Sequence, residues 1–159
     1  MKETTLCYPI RGNEWLMMLR NKKKNDINAN KWIGIGGKTE PNETAEECIL
    51  REIKEECGLN AVKLDFRGII DFFYDSDSTD LSERITLYTS TEFTGTLHES
   101  DEGTLAWIRE DEIENLDLWE GDRIFLRKIM NGDMKPFHLI LHYDKEGNLI
   151  STAEKEYVQ

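Results

Sequence analysis

Four glutamates, Glu43, Glu52, Glu55 and Glu56, stand close together in this chain, with Arg51 among them and Gly36 and Gly37 just ahead. Carboxylates crowded in this way repel one another, at a cost of a few tenths of a kcal/mol per pair on a solvated helix. A divalent cation turns that cost into a gain. Mg²⁺ in particular takes one or two carboxylates and fills its remaining positions with waters and phosphate oxygens. The chemistry open to such a set is attack on phosphorus by a water that a metal and a carboxylate activate.

The same segment must position these groups. Gly36 and Gly37 follow an apolar run and mark a tight turn where backbone can approach a ligand or an ion. Thr44, with Glu47 three residues on, is a capping box that starts a helix. No Gly or Pro interrupts Ala45–Cys57, and Gly58 sits where a helix end favours a left-handed residue. At ~100° per residue, Ile49, Leu50, Ile53 and Cys57 share one arc and should face the core. Glu52 and Glu56 are one turn apart and stack along one side, with Glu55 beside them. Arg51, four residues before Glu55, offsets part of the repulsion. An ordinary amphipathic helix with a solvated acidic face explains the helix alone, but not the glycines, Glu43, Arg51-Glu52 and Glu55-Glu56 at their separations.

Read as a whole, GKTEPNETAEECILREIKEECGL (Gly37–Leu59) fills every fixed position of G-x5-E-x7-R-E-U-x-E-E-x-G-U, where U is a bulky aliphatic. The segment resembles the box of the Nudix family, whose members mostly hydrolyse a nucleoside diphosphate linked to another moiety. The segments KWIGIGGK, ESDEG-TLAW and LWEGD extend the resemblance over most of the chain, to the MutT-type oxidised-purine nucleoside triphosphatases and most closely to the 8-oxo-dGTP diphosphatases of Gram-positive bacteria. The resemblance implies the Nudix fold, an α/β/α sandwich with a mixed β-sheet. It implies Mg²⁺, with Mn²⁺ able to substitute, and release of nucleoside monophosphate and pyrophosphate from a nucleoside triphosphate. The implied metal set is the Gly36 carbonyl with Glu52, Glu55, Glu56 and Glu102, Glu99 being the substitute for Glu102. Glu52, first candidate for general base or metal ligand, forms the catalytic group with Glu55, Glu56 and Arg51, the arginine orienting the carboxylates.

Substrate contacts fall outside the box. Arg20, Lys22, Lys23 and Lys24 form the densest basic run, either a solubilising loop or a clamp for the outer phosphates, and Lys23 matches a substrate-pocket lysine in relatives. Trp119-Glu120-Gly121-Asp122 opens a helix. Trp119 either packs in the core or stacks on a purine. Asp122 either complements the helix dipole or accepts the guanine N1–H and N2–H donors. Ile33 replaces the Asn of the animal enzymes, and Gly121-Asp122 replaces their paired aspartates, so base recognition cannot be copied from them. His98, His138 and His142 lack partners at ligand or triad spacing, and no Ser or Cys lies in a nucleophile motif.

The 159 residues suit one domain spanning 1–159, with four Trp, six Phe and five Tyr for its core. A formal net charge of -12 opposes long nucleic acids, whose binding rests on neutralising phosphates, but not a nucleotide whose charge a bound cation inverts. Cys7, Cys48 and Cys57 show no metal-ligand spacing and read as free buried thiols in a reducing cytoplasm. No apolar leader or membrane span is visible.

The remaining elements read as strands at Thr4–Ile10, Trp15–Arg20, Lys31–Ile35, Val62–Tyr74, Arg84–Phe93 and Thr104–Ile108. A polar loop covers Asn21–Asn30, an acidic turn Asp75–Asp80, and helices Asp111–Leu116 and Gly121–Met130. A hairpin around Glu146-Gly147-Asn148 closes the chain. Hydrolysis of another nucleotide, such as a pterin triphosphate or dinucleoside polyphosphate, and nucleotide sensing without cleavage are the rival readings.

Overall fold

The computed structural model describes residues 1–75 and 82–159. Strands β1 (Lys2–Arg11) and β2 (Glu14–Leu19) form a hairpin. Two short strands follow the 21–31 loop, β3 (Trp32–Ile33) and β4 (Ile35–Lys38), and then helix α1 (Ala45–Cys57). The long strands β5 (Leu59–Tyr74) and β6 (Glu83–Gly95) pair antiparallel. Then come β7 (Thr104–Arg109), a 3-10 helix (Glu110–Asn115), α2 (Glu120–Met130), and the hairpin β8 (Phe137–Tyr143) and β9 (Leu149–Glu156). Of the acidic turn expected at Asp75–Asp80, only Asp75 is described.

The strands join in the order β3-β2-β1-β6-β5-β8-β9, with β4 added beside β1 and β7 beside β2. The sheet is mixed: β1/β6 and β5/β8 run parallel, the other pairs antiparallel. Alternation along each strand divides the core between two faces. Tyr8, Trp15, Met17, Ile70 and Leu87 pack with Phe125, Leu126 and Ile129 of α2. Cys7, Leu16, Met18 and Ile35 pack with Ile49, Ile53 and Cys57 of α1. All three cysteines are free and buried. Among the described residues no helix is long and apolar enough to cross a membrane.

Three local expectations change. Gly36 and Gly37 do not form a turn. They lie in β4, paired with Leu6 and Thr5 of β1. Glycine is required there by close approach: a Cβ on Gly36 would lie 1.9 Å from the Thr5 carbonyl oxygen. The strand expected over Lys31–Ile35 is divided at Gly34, so Trp32–Ile33 pair with β2 while β4 turns to β1. Leu50 is 39% exposed, and Cys48 takes the inner place, its Sγ 3.2 Å from Thr5 Oγ1. The buried arc of α1 is turned away from Leu50, which leaves Glu52 and Glu56 half-buried.

Candidate metal and nucleotide site

The box helix begins and ends as its sequence dictates. Thr44 Oγ1 accepts from the Glu47 N–H at 3.1 Å, and Glu47 returns a bond to the Thr44 N–H at 3.0 Å. Gly58 closes α1 in the left-handed region, φ 82°, its N–H on the Lys54 carbonyl. Between these ends, burial of Cys48, Ile49, Ile53 and Cys57 sets the rotation of the helix against the sheet. That rotation brings Glu52 over Gly37, where an added Cβ would meet the carboxylate at 2.5 Å.

Arg51 organises the acidic groups. Its guanidinium bonds Glu43 through Nε at 2.7 Å and Nη2 at 2.9 Å, Glu52 Oε1 at 2.8 Å and Glu55 at 3.2 Å. A planar fork of five donors suits this task, and a lysine could not span the same set. The bonds from Arg51, with a backbone N–H bond from Glu40, hold the Glu43 carboxyl down at about 2. Glu52 behaves in the opposite way. Burial raises its pKa, Arg51 draws it back, and Glu56 and Glu55 push it up again. Glu56 is raised by burial, eased by a 2.7 Å bond from the Ser100 hydroxyl, and raised further by Glu102 and Asp101.

Glu102 enters from the loop before β7. Arg20 Nη1 donates to its Oε2 at 3.1 Å, and Lys23 Nζ stands 4.0 Å from its Oε1. Glu56 thus lies in the field of Glu102 and itself acts on Glu52, while Lys23 stands beside Glu102. Glu55 lies on the exposed side, bound to Arg51. Glu99 is exposed as well, its carbonyl 2.8 Å from His98 Nδ1. His138 and His142, both in β8, bond Asp71 and Asp75 at 2.7 Å each.

No three His, Cys, Asp or Glu side chains among the described residues are gathered closely enough to hold a metal ion. In this arrangement Glu52 is bonded by Arg51, Glu56 by Ser100 and Glu102 by Arg20. The donor set nonetheless fits a hard divalent cation. It is all oxygen, and two of its acids are half-buried, with pKa values raised first by burial and then by neighbouring carboxylates.

The residues assigned to the base lie on the α2 side of the sheet. Trp119 is only 7% exposed, with Phe72, Tyr74 and Tyr143 edge-on against it at 5.0 to 6.2 Å. Its Nε1 donates to Asn28 Oδ1 at 2.8 Å. The indole is thus a core residue in this conformation, and stacking on a purine requires the 21–31 loop to yield. Asp122, in the first turn of α2, has a carboxyl that burial pushes up to about 7 despite the favourable helix end. Ile33 is partly buried and packs on the same core.

Three residues of this region escaped the sequence reading. Ser100 bonds both Glu56 and the Glu102 N–H. Arg20, grouped with the lysines, is instead tied to Asp26 and Glu102. Tyr8 carries a buried hydroxyl without a hydrogen-bond partner among the described residues and feels the Asp122 charge. Each role depends on contacts between distant segments, for which the sequence holds no local signal.

A model of the Nudix domain matches residues 2–129. The chain belongs to the Nudix family. It is 30% identical over 122 residues to an uncharacterised Nudix hydrolase, YvcI, of Bacillus subtilis, covering 76% of this chain and 77% of that protein. It is 34% identical over 105 residues to the mouse (Mus musculus) oxidized purine nucleoside triphosphate hydrolase, covering 66% of each. The crystal structure of the MutT protein of Bacillus halodurans superposes with a TM-score of 0.85 at 22% identity, over 99% of this chain and 100% of that one. The Nudix fold thus stands as the resemblance implied, and MutT proteins are among its structural neighbours.

Proposed function

We propose that this Nudix hydrolase is a Mg²⁺-dependent nucleoside triphosphate pyrophosphohydrolase acting on oxidised purine nucleotides, with 8-oxo-dGTP going to 8-oxo-dGMP and pyrophosphate. The observation that carries the reading is the half-buried carboxylate pair Glu52 and Glu56 on one side of α1, with Glu52 seated against Gly37 and Lys23 4.0 Å from the neighbouring Glu102. The named activity of the mouse relative supports the purine substrate. Three free buried cysteines suit a reducing compartment such as the cytoplasm.

Bound Mg²⁺ supplies charge to the phosphate oxygens and acidifies a water. Glu56, Glu102 and the Gly36 carbonyl would hold it, with Glu52 or Glu55 completing the set. Arg51 bonds Glu52 through Oε1, which leaves Oε2 to accept a proton from the attacking water. Its raised pKa makes Glu52 a better base than an exposed carboxylate. Lys23 contacts the outer phosphates as a point charge.

A cation that binds only the folded protein stabilises it by RT ln(1 + [L]/Kd), about 2.7 kcal/mol at a hundredfold excess over Kd. Tm should therefore rise in millimolar Mg²⁺, and the rise should shrink in Glu52→Gln, Glu56→Gln. An equal rise in the double variant places the cation elsewhere.

Asp122 reads the base by accepting the guanine N1–H and N2–H. Paired contacts of this kind carry about 1–3 kcal/mol, so Asp122→Ala should lower kcat/KM for guanine nucleotides roughly 5- to 150-fold. Only the ionised carboxylate accepts both bonds, so wild-type kcat/KM for these substrates should fall as pH drops through about 7. Asp122→Ala should lack that limb. For an acid with a raised folded pKa, stability is greatest when it is protonated and is lost as pH rises through the folded value. Asp122→Asn should therefore raise Tm more at pH 8 than at pH 5. The assay set is 8-oxo-dGTP, dGTP and dATP, with a pterin triphosphate and a dinucleoside polyphosphate added. An equal loss on all three purines removes Asp122 from base reading, and absence of pyrophosphate release favours a sensor.

A further inference from the structure

We propose that Arg20 is a positioning residue for the metal site, holding Glu102 in place for a divalent cation and fastening the lysine-bearing loop to it. The inference rests on reading Glu102 as part of that site.

Arg20 directly follows β2 and is almost enclosed, its side chain 11% exposed. Its Nε donates to Asp26 Oδ2 at 2.7 Å, and Asp26 is itself only 5% exposed. Its Nη1 donates to Glu102 Oε2 at 3.1 Å. The backbone of Arg20 is pinned on both sides: its N–H bonds the Lys31 carbonyl at 3.0 Å, and its carbonyl accepts from Asn30 at 2.7 Å. The loop is joined to the Glu102 segment twice more, by the Lys22 N–H on the Glu102 carbonyl at 3.3 Å and by Lys22 Nζ on the Ser100 carbonyl at 3.0 Å. Ser100 then reaches Glu56. A continuous chain of bonds runs from Asp26 through Arg20, Glu102 and Ser100 to the box helix.

Arg20 could compete with a cation for Glu102, but the geometry favours support. The nearer carboxylate is Asp26, which balances the guanidinium charge. The bond to Glu102 uses Oε2, and among the described residues Oε1 has only the exposed Lys23 at 4.0 Å. Glu102 is thus fixed with one oxygen left to a cation. Groups that hold a metal ligand in this way typically matter 10- to 100-fold in affinity.

The test is Mn²⁺ binding to the full chain without nucleotide, followed by electron paramagnetic resonance. Arg20→Met should weaken binding about 10- to 100-fold while circular dichroism stays that of wild type. Arg20→Lys, which cannot span both carboxylates, should recover part of the loss. In a Glu102→Gln background, Arg20→Met should add nothing. Unchanged or tighter Mn²⁺ binding in Arg20→Met overturns the proposal, as does an undiminished effect in the Glu102→Gln background. Should Arg20→Met fail to fold, Asp26→Asn replaces it: it leaves the bond to Glu102 in place but loosens Arg20, and wild-type affinity there counts against the proposal. Failure of the site itself has a different signature, since wild type would then bind Mn²⁺ no better than Glu56→Gln.

Discussion

Glu56→Gln should keep the fold and lose turnover by roughly 10²- to 10⁴-fold, the size expected when several kcal/mol of transition-state charge stabilisation is removed. Its carboxylate is half-buried on α1, accepts from Ser100 at 2.7 Å, and lies in the field of Glu102 and Asp101. An amide of the same shape preserves the bond from Ser100 through its carbonyl oxygen. It also relieves repulsion, so Tm without metal should be unchanged or higher. What the amide cannot do is hold a hard divalent cation with comparable strength. Activity of the wild type should vanish with EDTA and return with Mg²⁺ or Mn²⁺. Near wild-type turnover in Glu56→Gln, with metal dependence unchanged, would remove Glu56 from the site and with it the reading of the box helix as a metal platform.

Much of this arrangement was legible from the chain because it is local. The capping box at Thr44, the helix to Cys57 and the left-handed Gly58 are each written within one or two turns, and the structure shows all three. Strand positions followed from apolar patterning, with ends moved by one to three residues at most elements. The failures are equally physical. Gly36-Gly37 reads as a turn in sequence because glycine marks turns in isolation, yet in the fold it admits the backbone of β1 on one side and a carboxylate on the other. Periodicity puts Leu50 inside because it gives an arc without its rotation, whereas in the fold Cys48 against Thr5 takes the inner place. Trp119 offered two readings, and only the surrounding Phe72, Tyr74 and Tyr143 show that it is enclosed. Arg20 and Ser100 owe their roles to partners 82 and 44 residues away in the chain, a separation at which sequence pattern is silent.

The two glycines of β4 separate activity from stability in a way that tests the geometry directly. At Gly37, an added Cβ would lie 2.5 Å from the Glu52 carboxyl carbon and Oε1. The obstacle is the far end of a flexible side chain, so Glu52 should swing aside while β4 stays paired to β1. Gly37→Ala should then fold with a Tm near wild type and lose on the order of 10²-fold in kcat, since a displacement of about 1 Å in a reacting group can cost that much. At Gly36 the obstacle is main chain: the Cβ would sit 1.9 Å from the Thr5 carbonyl oxygen and 2.9 Å from the Leu6 Cα. No rotamer relieves that, and the β1/β4 ladder must part. Overpacking a tight core costs typically 1–3 kcal/mol and occasionally more, and Gly36→Ala belongs at the upper end, seen as a loss of Tm before any question of activity. Measuring Tm and kcat for both variants gives opposite patterns if Glu52 is the group held over Gly37. Full activity in a folded Gly37→Ala would mean that the position of Glu52 over β4 has no part in the chemistry, and the general base must then be sought outside the box helix.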